Sequence, residues 1–587
     1  MRRFRRCLRA FARYRRELLL GGVSLTLASL LEAGIPVVAS RGIRSVETYL
    51  SAEPRGERPD SFLLLVLALL LGGTVAKGFF RFWQRRLLIG VSRKVERDLK
   101  EEFFSHLLTL APGFFARSRT GDLLSRATGD VEAVRLFLGA GFMYAASTLL
   151  LVPLALGTMI HFNPGLTALL AVPLGALAWS MKGLTRRLNR HSEAVQQSLA
   201  ELSERAQENF AGVRVVKGFA REAWETQRFG AAAEAYRRHQ IDLGRARAWN
   251  HVVLNASKDA AVLLILVVGG LGKLRGTFDL AGTYLFLDYV SRLYWPLIAL
   301  GWMAGMYHRA AAGMARIEEV LSTRPEVETP REPVPVEAIG GEVELRDLTF
   351  AYDGAPVLRG VSLRIRRGEF VGIVGRIGSG KTTLVSLLGR LYPVPEGSIF
   401  VDGVDVNRIP LRKLRDAIGY VPQDAFLFSD TILENVAFGF DATPPVEAVA
   451  RAAEAAALEA DLASFPDGLA TRLGERGVTL SGGQRQRVSI ARACLREPRI
   501  LVLDDALSAV DTETEARILD RLRLAARLRT VFLVSQRLSA VEAADRIVVL
   551  DEGRIAEQGT HRELLGRGGW YARTWRRQRI EGELERL

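Results

Sequence analysis

Cysteine is nearly absent from this chain, with only Cys7 and Cys494 among 587 residues. Two thiols so far apart support no disulfide framework, and both are expected on the reducing, cytoplasmic side. Internal repeats are also missing, as are RNA-binding and helix-turn-helix signatures. Acidic residues are in deficit, 65 Asp and Glu against 80 Lys and Arg, for a formal charge of +15. Such an excess suits nucleic acid or an anionic membrane surface, and position decides between them. Eight arginines lie between Met1 and Arg16, directly before an apolar run that opens at Leu18. Basic residues on one flank of an apolar run are the positive-inside pattern, with anionic lipid headgroups as their partner and no role for nucleic acid. The run from Leu18 to Ser40 lacks a small-x-small cleavage site, is long, and contains Glu32. It reads as a retained membrane span rather than a cleaved leader.

Hydrophobic residues make up 48% of the chain and charged ones 25%, a mixture suited to one part in lipid and another in water. Apolar segments long enough to cross a bilayer, which takes about 20 residues, fall near 18–40, 62–83, 137–160, 164–183, 250–272 and 283–306. Lys258 and Asp259 interrupt the fifth. Six crossings return the chain to the cytoplasm. The loop His161 to Gly165 has no Lys or Arg, whereas 84–135 and 184–248 are rich in both, with Arg55 and Arg58 a small exception. Those two basic stretches are expected to be helices continuing into the cytoplasm, where 20 residues project about 30 Å. Each breaks in the middle, around Gly113 to Gly121 and Gly212 to Gly218, where a short transverse helix is placed to dock on another domain. Four prolines, at 325, 330, 333 and 335, then mark a linker. Beyond it β-like runs alternate with helical ones (Glu342–Tyr352, Phe370–Gly375, Ile500–Leu503, Thr530–Val534, Arg546–Leu550), the pattern of a parallel sheet in an α/β domain. The expected division is a membrane domain over 1–321, a linker over 322–340 and an α/β domain over 341–587.

Gly375, Arg376, Ile377, Gly378, Ser379, Gly380, Lys381 and Thr382 fit G-x-x-x-x-G-K-[ST] directly after an apolar strand, with Thr383 following. In such a loop the glycines let backbone N–H groups wrap phosphates, the lysine reaches the β- and γ-phosphates, and the hydroxyl of Thr382 holds Mg²⁺. The strand Ile500–Leu503 leads into Asp504, a carboxylate able to hold the same ion. Leu480, Ser481, Gly482, Gly483 and Gln484 precede a helical run and present N–H groups and a hydroxyl at its N-terminus.

With these residues the sequence resembles the ATP-binding cassette family, whose signature is Leu-Ser-Gly-Gly-Gln, and the resemblance covers the whole chain. It implies a six-helix, all-α transmembrane domain joined to an α/β phosphate-loop domain with a helical subdomain. It implies use of ATP and Mg²⁺, with Thr382, Gln423 and Asp504 as the metal set. Tyr352 matches the aromatic that stacks on adenine. Gln423 matches the glutamine that senses Mg²⁺ and the attacking water, and Ser508 and Asp511 match the D-loop. Gly474 to Gly477 looks like the segment that precedes the signature in exporters. The stretches Thr120–Arg126 and Val213–Phe219 look like exporter coupling regions. The implied location is the inner membrane, multi-pass, with both termini and the cassette cytoplasmic.

Two positions depart from the family pattern. Asp505 stands where a catalytic glutamate is expected, and its carboxylate sits over about 1 Å short, a misplacement able to cost about 10²-fold in rate. Gln536 stands where a switch histidine is expected. In this family two cassettes sandwich two ATP molecules, each site pairing one chain's phosphate loop with the other's signature. The departures therefore imply a heterodimer with a second half-transporter. In it this chain's own site, with Gln423, Asp505 and Gln536 as catalytic candidates, is hydrolysis-impaired, while its signature completes the partner's site. The expected substrate is a hydrophobic or amphipathic small molecule, lipid or peptide. A lipid flippase and an ATP-gated channel or regulatory subunit are the alternatives, and an importer is disfavoured because that class carries the two domains on separate chains. Glu32, Lys77, Asp288 and Arg292 inside the spans mark either a substrate path or interhelical pairing. Tyr284, Phe286, Tyr289, Tyr294 and Trp295 mark either a cavity wall or ordinary packing.

Overall fold

The computed structural model describes residues 5–51, 60–352, 354–474, 477, 479–526 and 529–584. Arg55, Arg58, Glu475 and Arg476 lie outside them, as does the side chain of Cys7. The chain forms two compact units, one of residues 1–108 with 119–323, the other of residues 109–118 with 324–587.

The first unit is helical. After α1 (Arg5–Arg13) come α2 (Arg15–Ser51) and α3 (Asp60–Leu107), then the short α4 (Pro112–Arg117), which groups with the second unit. There follow α5 (Thr120–Phe162), α6 (Pro164–Ala211), the one-turn-plus α7 (Val213–Gly218), α8 (Glu222–Leu274) and α9 (Leu280–Leu321). The starts of α6 and α9 are set by side-chain caps. Asn163 Oδ1 accepts from the Leu166 N–H at 2.9 Å, and Asp279 Oδ1 accepts from the Gly282 N–H at 2.8 Å. The two basic stretches are helical, and their breaks hold α4 and α7.

Among the described residues four helices are long and apolar enough to cross a bilayer: Arg15–Tyr49, Ser61–Leu107, Thr120–Phe162 and Glu222–Leu274. These match the first, second, third and fifth expected spans. The fourth is represented by the shorter apolar stretch Pro164–Pro173, and the sixth, in α9, carries Asp288 and Arg292 in its apolar part. Only 6% of the most apolar window of α3 is buried, so Leu64, Leu65, Leu67 and Leu71 face outward where water would not tolerate them together.

Inside the unit, Phe286 and Tyr289 are fully buried with Met159, Leu170 and Ile265. These two aromatics therefore pack, and the Tyr289 hydroxyl donates to the Ala33 carbonyl at 2.6 Å. Tyr284 and Trp295 instead line cavities. Lys258 lies over the Tyr294 ring. Arg292 pairs with Asp288 at 2.8 Å and Glu32 at 3.5 Å, and Lys77 has no ion pair among the described residues. Close helix approach relies on small residues. A Cβ on Gly139, in a π-type turn of α5, would stand 2.5 Å from Ser92 Oγ on α3.

The second unit holds two sheets. Strands β1 (Val343–Ala351), β2 (Pro356–Ile365), β4 (Ile399–Val401) and β5 (Val404–Asp405) form an antiparallel sheet in the order β2-β1-β4-β5. The other sheet has the order β10-β9-β3-β8-β7-β6. It contains β3 (Phe370–Gly375), β6 (Ile418–Val421), β7 (Ile500–Asp504), β8 (Thr530–Val534), β9 (Arg546–Asp551) and β10 (Arg554–Gly559). Every residue of β3, β7 and β8 is buried, as a parallel strand covered on both faces requires. The expected parallel sheet is thus present from β9 to β6, with β10 added antiparallel at the edge. The antiparallel sheet corrects that expectation: β2 and β5 carry no continuous apolar run, β4 is only three residues long, and β1 pairs antiparallel with β2 and β4 rather than joining the parallel set.

Residues 324–340 lie on this unit rather than apart from it. Val334 N–H donates to the Arg408 carbonyl at 2.9 Å, and Arg390 donates to the Glu328 carbonyl at 3.1 Å. Helix α4 joins it through Arg117, which pairs with Glu326 at 3.1 Å.

Gly139→Ala should lower the thermal unfolding midpoint of the detergent-solubilised protein, by overpacking worth about 1–3 kcal/mol. Ser92→Gly in the same chain should recover most of the loss, because Ser92 is what the new methyl meets. Midpoints for both single variants and the pair check this.

Candidate nucleotide-binding site

Helix α10 (Lys381–Leu388) begins where β3 ends, and the loop between them needs glycine at two points. Gly375 has φ +148°, and a Cβ there would lie 2.0 Å from the Leu550 carbonyl oxygen. Gly380, at φ +97°, is the left-handed cap of α10, and a Cβ would meet Leu358 at 2.8 Å. These conformations turn the loop back so that its N–H groups and the α10 N-terminus converge.

Lys381 is buried, and its Nζ donates to the carbonyls of Gly375 at 3.0 Å and Arg376 at 2.8 Å. Burial lowers its pKa, against the pull of Asp505 and Asp504. Thr382 Oγ1 donates to Asp504 Oδ1 at 3.1 Å, joining the loop to the end of β7. Hard oxygen donors in this arrangement suit Mg²⁺. Ser379 Oγ is buried and has no hydrogen-bond partner among the described residues, which fits a phosphate oxygen as its acceptor. The cleft of about 210 Å³ here is also lined by Ile377, Gly378, Thr383, Gln423, Asp505 and Gln536. Arg376 points away, 3.9 Å from Asp551. Tyr352 is 45% exposed, packs edge-on to Phe350 and Tyr392 with centroids 5.1 Å apart, and its hydroxyl lies 3.0 Å from Thr383 Oγ1.

Asp505 has φ +51°, the left-handed region, and lines the cleft beside Gln536. Burial raises the pKa of both Asp504 and Asp505, and the charge of Asp505 raises Asp504 further.

The residues from Leu480 to Gln484 do not line this cleft. Leu480 is buried, and Ser481 caps helix α11 (Gly482–Leu495). Ser481 Oγ accepts from the Gln484 N–H at 3.2 Å, and Gln484 Oε1 accepts from the Ser481 N–H at 2.8 Å, a reciprocal capping box. A Cβ on Gly483 would approach the Ala509 carbonyl to 2.7 Å, so glycine lets the D-loop pack there. Ser508 Oγ donates to the Asp505 carbonyl at 2.8 Å, and Asp511 Oδ1 accepts from the Thr514 N–H at 2.9 Å.

Family models match the chain twice, as an ABC transporter transmembrane region over residues 18–297 and as an ABC transporter over residues 358–508. The probable multidrug resistance ABC transporter ATP-binding/permease protein YheI of Bacillus subtilis is 38% identical over 85% of this chain and 85% of its own length. The chain belongs to the ABC transporter family. An ATP-dependent lipid A-core flippase of Aromatoleum aromaticum is 36% identical over 83% of this chain and 80% of its own. Among solved structures, a bacterial Atm1-family ABC exporter with ATP bound superposes with TM-score 0.78 at 30% identity, over 96% of this chain and 98% of that one. This ABC transporter has the exporter fold, a helical transmembrane domain with an α/β ATP-binding domain, and its enzymatic activity is ATP hydrolysis coupled to transport.

Three supports of the ABC transporter site escaped the sequence reading. Tyr420 donates to Asp504 Oδ2 at 3.4 Å, and burial pushes its own pKa up to about 12. Gln486 holds Ser508 Oγ at 3.0 Å and the Ala509 N–H at 2.9 Å. Arg537 donates to the carbonyls of Ser508 at 3.0 Å and Val510 at 3.1 Å while pairing with Glu515 at 2.9 Å. Tyr420 sits three residues before Gln423 and Arg537 directly after Gln536, so adjacency to known motifs was the available signal.

The raised pKa of Asp505 makes a pH prediction. A carboxyl whose folded pKa lies above its unfolded value of about 3.9 favours the fold at low pH and costs stability as pH rises through the folded value. Asp505→Asn keeps the size and shape of the side chain and removes the charge. Its midpoint in thermal unfolding of the ligand-free full chain should exceed the parent's at pH 7–8, with the difference vanishing near pH 4.

Proposed function

We propose that this chain is one half of a heterodimeric exporter of hydrophobic or amphipathic compounds, and that its own ATP site hydrolyses poorly. Six spans, the short fourth and the charged sixth included, place residues 1–321 in and below the inner membrane. Residues 322–340 connect them to the cytoplasmic cassette of residues 341–587. Tyr352 stacks on adenine. The glycine loop, Ser379 and Lys381 hold the phosphates, and Thr382, Asp504 and Gln423 hold the metal. A divalent ion bound there neutralises charge on the β- and γ-phosphates.

The observation that carries the impaired-site reading is the carboxylate of Asp505. It is one methylene shorter than glutamate, so it reaches about 1 Å less far from the strand end toward an attacking water. Gln536 supplies no imidazole beside it. The signature, by contrast, is fully formed by its capping box. Ser481 and Gly482 therefore remain able to stabilise charge on an ATP held by a partner. The likeness to a lipid A-core flippase supports lipid movement as a second reading of the same machine.

Steady-state ATPase of the reconstituted pair tests the asymmetry. Asp505→Asn should reduce turnover little. Ser481→Arg or Gly482→Asp should reduce it by about 10²–10³-fold, the loss of one oriented stabilising group. Equal damage from both classes would mean that both sites hydrolyse.

Helices α4 and α7 are assigned to coupling. Phe210, Val215 and Phe219 around α7 are 79%, 62% and 77% exposed, an apolar surface suited to a cassette. Scrambling both short helices should leave ATP binding intact and abolish ATP-driven transport in vesicles, measured side by side.

A further inference from the structure

We propose that the cavity enclosed by α2, α3, α5 and α9 binds the anionic head of an amphipathic substrate. The cavity has a volume of about 530 Å³ and lies wholly within the helical unit. Among the described residues its charged lining is three arginines, Arg81, Arg85 and Arg292, against one carboxylate, Glu32. Asp288, outside the lining, pairs with Arg292 at 2.8 Å, and one cation still remains over.

The spare charge falls on α3. Glu32 is divided between Arg292 at 3.5 Å and Arg81 at 3.8 Å, both longer than the 2.7–2.9 Å of a strong charge-assisted bond. Arg85 makes no ion pair or hydrogen bond among the described residues, and both α3 arginines are exposed and line the cavity. An arginine beside an apolar span without a full partner is costly, which makes a ligand a better account of two of them than packing.

The remaining lining fits the rest of such a molecule. Gln84, 6% exposed, lies 3.4 Å from Ser147 Oγ, placing neutral hydrogen-bonding groups beside the guanidiniums. Trp295, 58% exposed, offers an apolar wall together with Met143 and Leu151. A cationic amphiphile would find only Glu32, already claimed by two arginines. The site therefore selects a phosphate-, sulfonate- or carboxylate-headed amphiphile over a quaternary ammonium one. Fork-shaped guanidiniums suit the planar or tetrahedral oxyanion.

This deepens the export reading and rests on it, so binding and movement are measured separately. The full chain in nanodiscs of neutral phosphatidylcholine is titrated, without ATP, with dodecyl phosphate and with dodecyltrimethylammonium. The readout is the tryptophan emission change that Trp295→Phe removes. Saturable binding of dodecyl phosphate but not of the ammonium compound is expected. Arg85→Gln should weaken it about tenfold or more, as loss of one charged hydrogen bond does, and Arg85→Lys less. The Arg81→Gln/Arg85→Gln pair should abolish it while the unfolding midpoint stays within the range of the single variants. Replacing part of the phosphatidylcholine by phosphatidylglycerol separates two sources of the head. Competition by it assigns the site to a bilayer lipid, and its indifference assigns it to a soluble amphiphile. Equal binding of the ammonium compound, or undiminished binding in the folded double variant, overturns the proposal. Anion binding by this chain with no ATP-driven movement of any probe by the reconstituted pair would leave the site standing and sink export instead.

Discussion

Asp504 is 1% exposed at the end of a buried strand, and a carboxylate in that position must be held on every side. Thr382 takes one of its oxygens from the phosphate loop, Tyr420 reaches the other from the neighbouring strand, and Lys381 supplies the nearby positive charge. Much of the second unit's order can be traced to that requirement. The loop comes from β3 and the acid from β7, with β8 lying between the two strands in the sheet. Their carboxyl ends share one edge because all three run parallel, the arrangement that places ligands beyond the strand ends in α/β folds. Adding Asp505 beside Asp504 loads the same place with a second, half-buried charge against a single ammonium, and both carboxyls are pushed toward protonation. A divalent cation held there would relieve that imbalance.

The parts of this site that were legible in the sequence are those whose chemistry admits few residue types. Gly375 and Gly380 could be read because their φ angles and backbone approaches leave no room for a Cβ. Asp504 could be read because an acid ending a wholly apolar run is rarely there for packing. Tyr420, Gln486 and Arg537 act through hydroxyl, amide and guanidinium groups that many residues could replace, and their partners are distant in sequence, so only coordinates reveal them. The same logic divides the fold. Parallel strands are continuous apolar runs and stood out, whereas β2, burying alternate and irregular positions, and the two- and three-residue β5 and β4 leave no such mark.

In the helical unit, lipid gives helices no hydrophobic reason to prefer one another, so contact depends on small residues and polar links. Gly139 against Ser92 and Gly269 against Thr283 allow close approach, each with a would-be Cβ 2.5 Å from a hydroxyl oxygen. The buried Tyr289 hydroxyl on Ala33 and the Ser40 hydroxyl on the Ala281 carbonyl, at 2.8 Å, tie α9 to α2. Hydropathy identifies which segments meet lipid but says little about which aromatics face inward. Phe286 and Tyr289 pack in the core while Trp295, on the same helix, opens onto a cavity, because helical position and not composition separates them.

The way Asp505 is wired bears on how an ABC transporter could lose one hydrolytic site and keep the other. Its link to the D-loop runs through its backbone. The carbonyl accepts from Ser508 Oγ at 2.8 Å and from Gln486 Nε2 at 3.4 Å, and the N–H donates to the Val534 carbonyl at 3.0 Å. Gln486 belongs to the helix capped by Ser481, so the signature, the D-loop and the end of β7 form one hydrogen-bonded assembly that does not use the side chain at 505. Exchanging glutamate for aspartate there changes the reach of one carboxylate and leaves every one of those bonds available. A short acid at 505 is therefore compatible with an undisturbed signature, because the bonds that shape Ser481 and Gly482 do not pass through the side chain of Asp505.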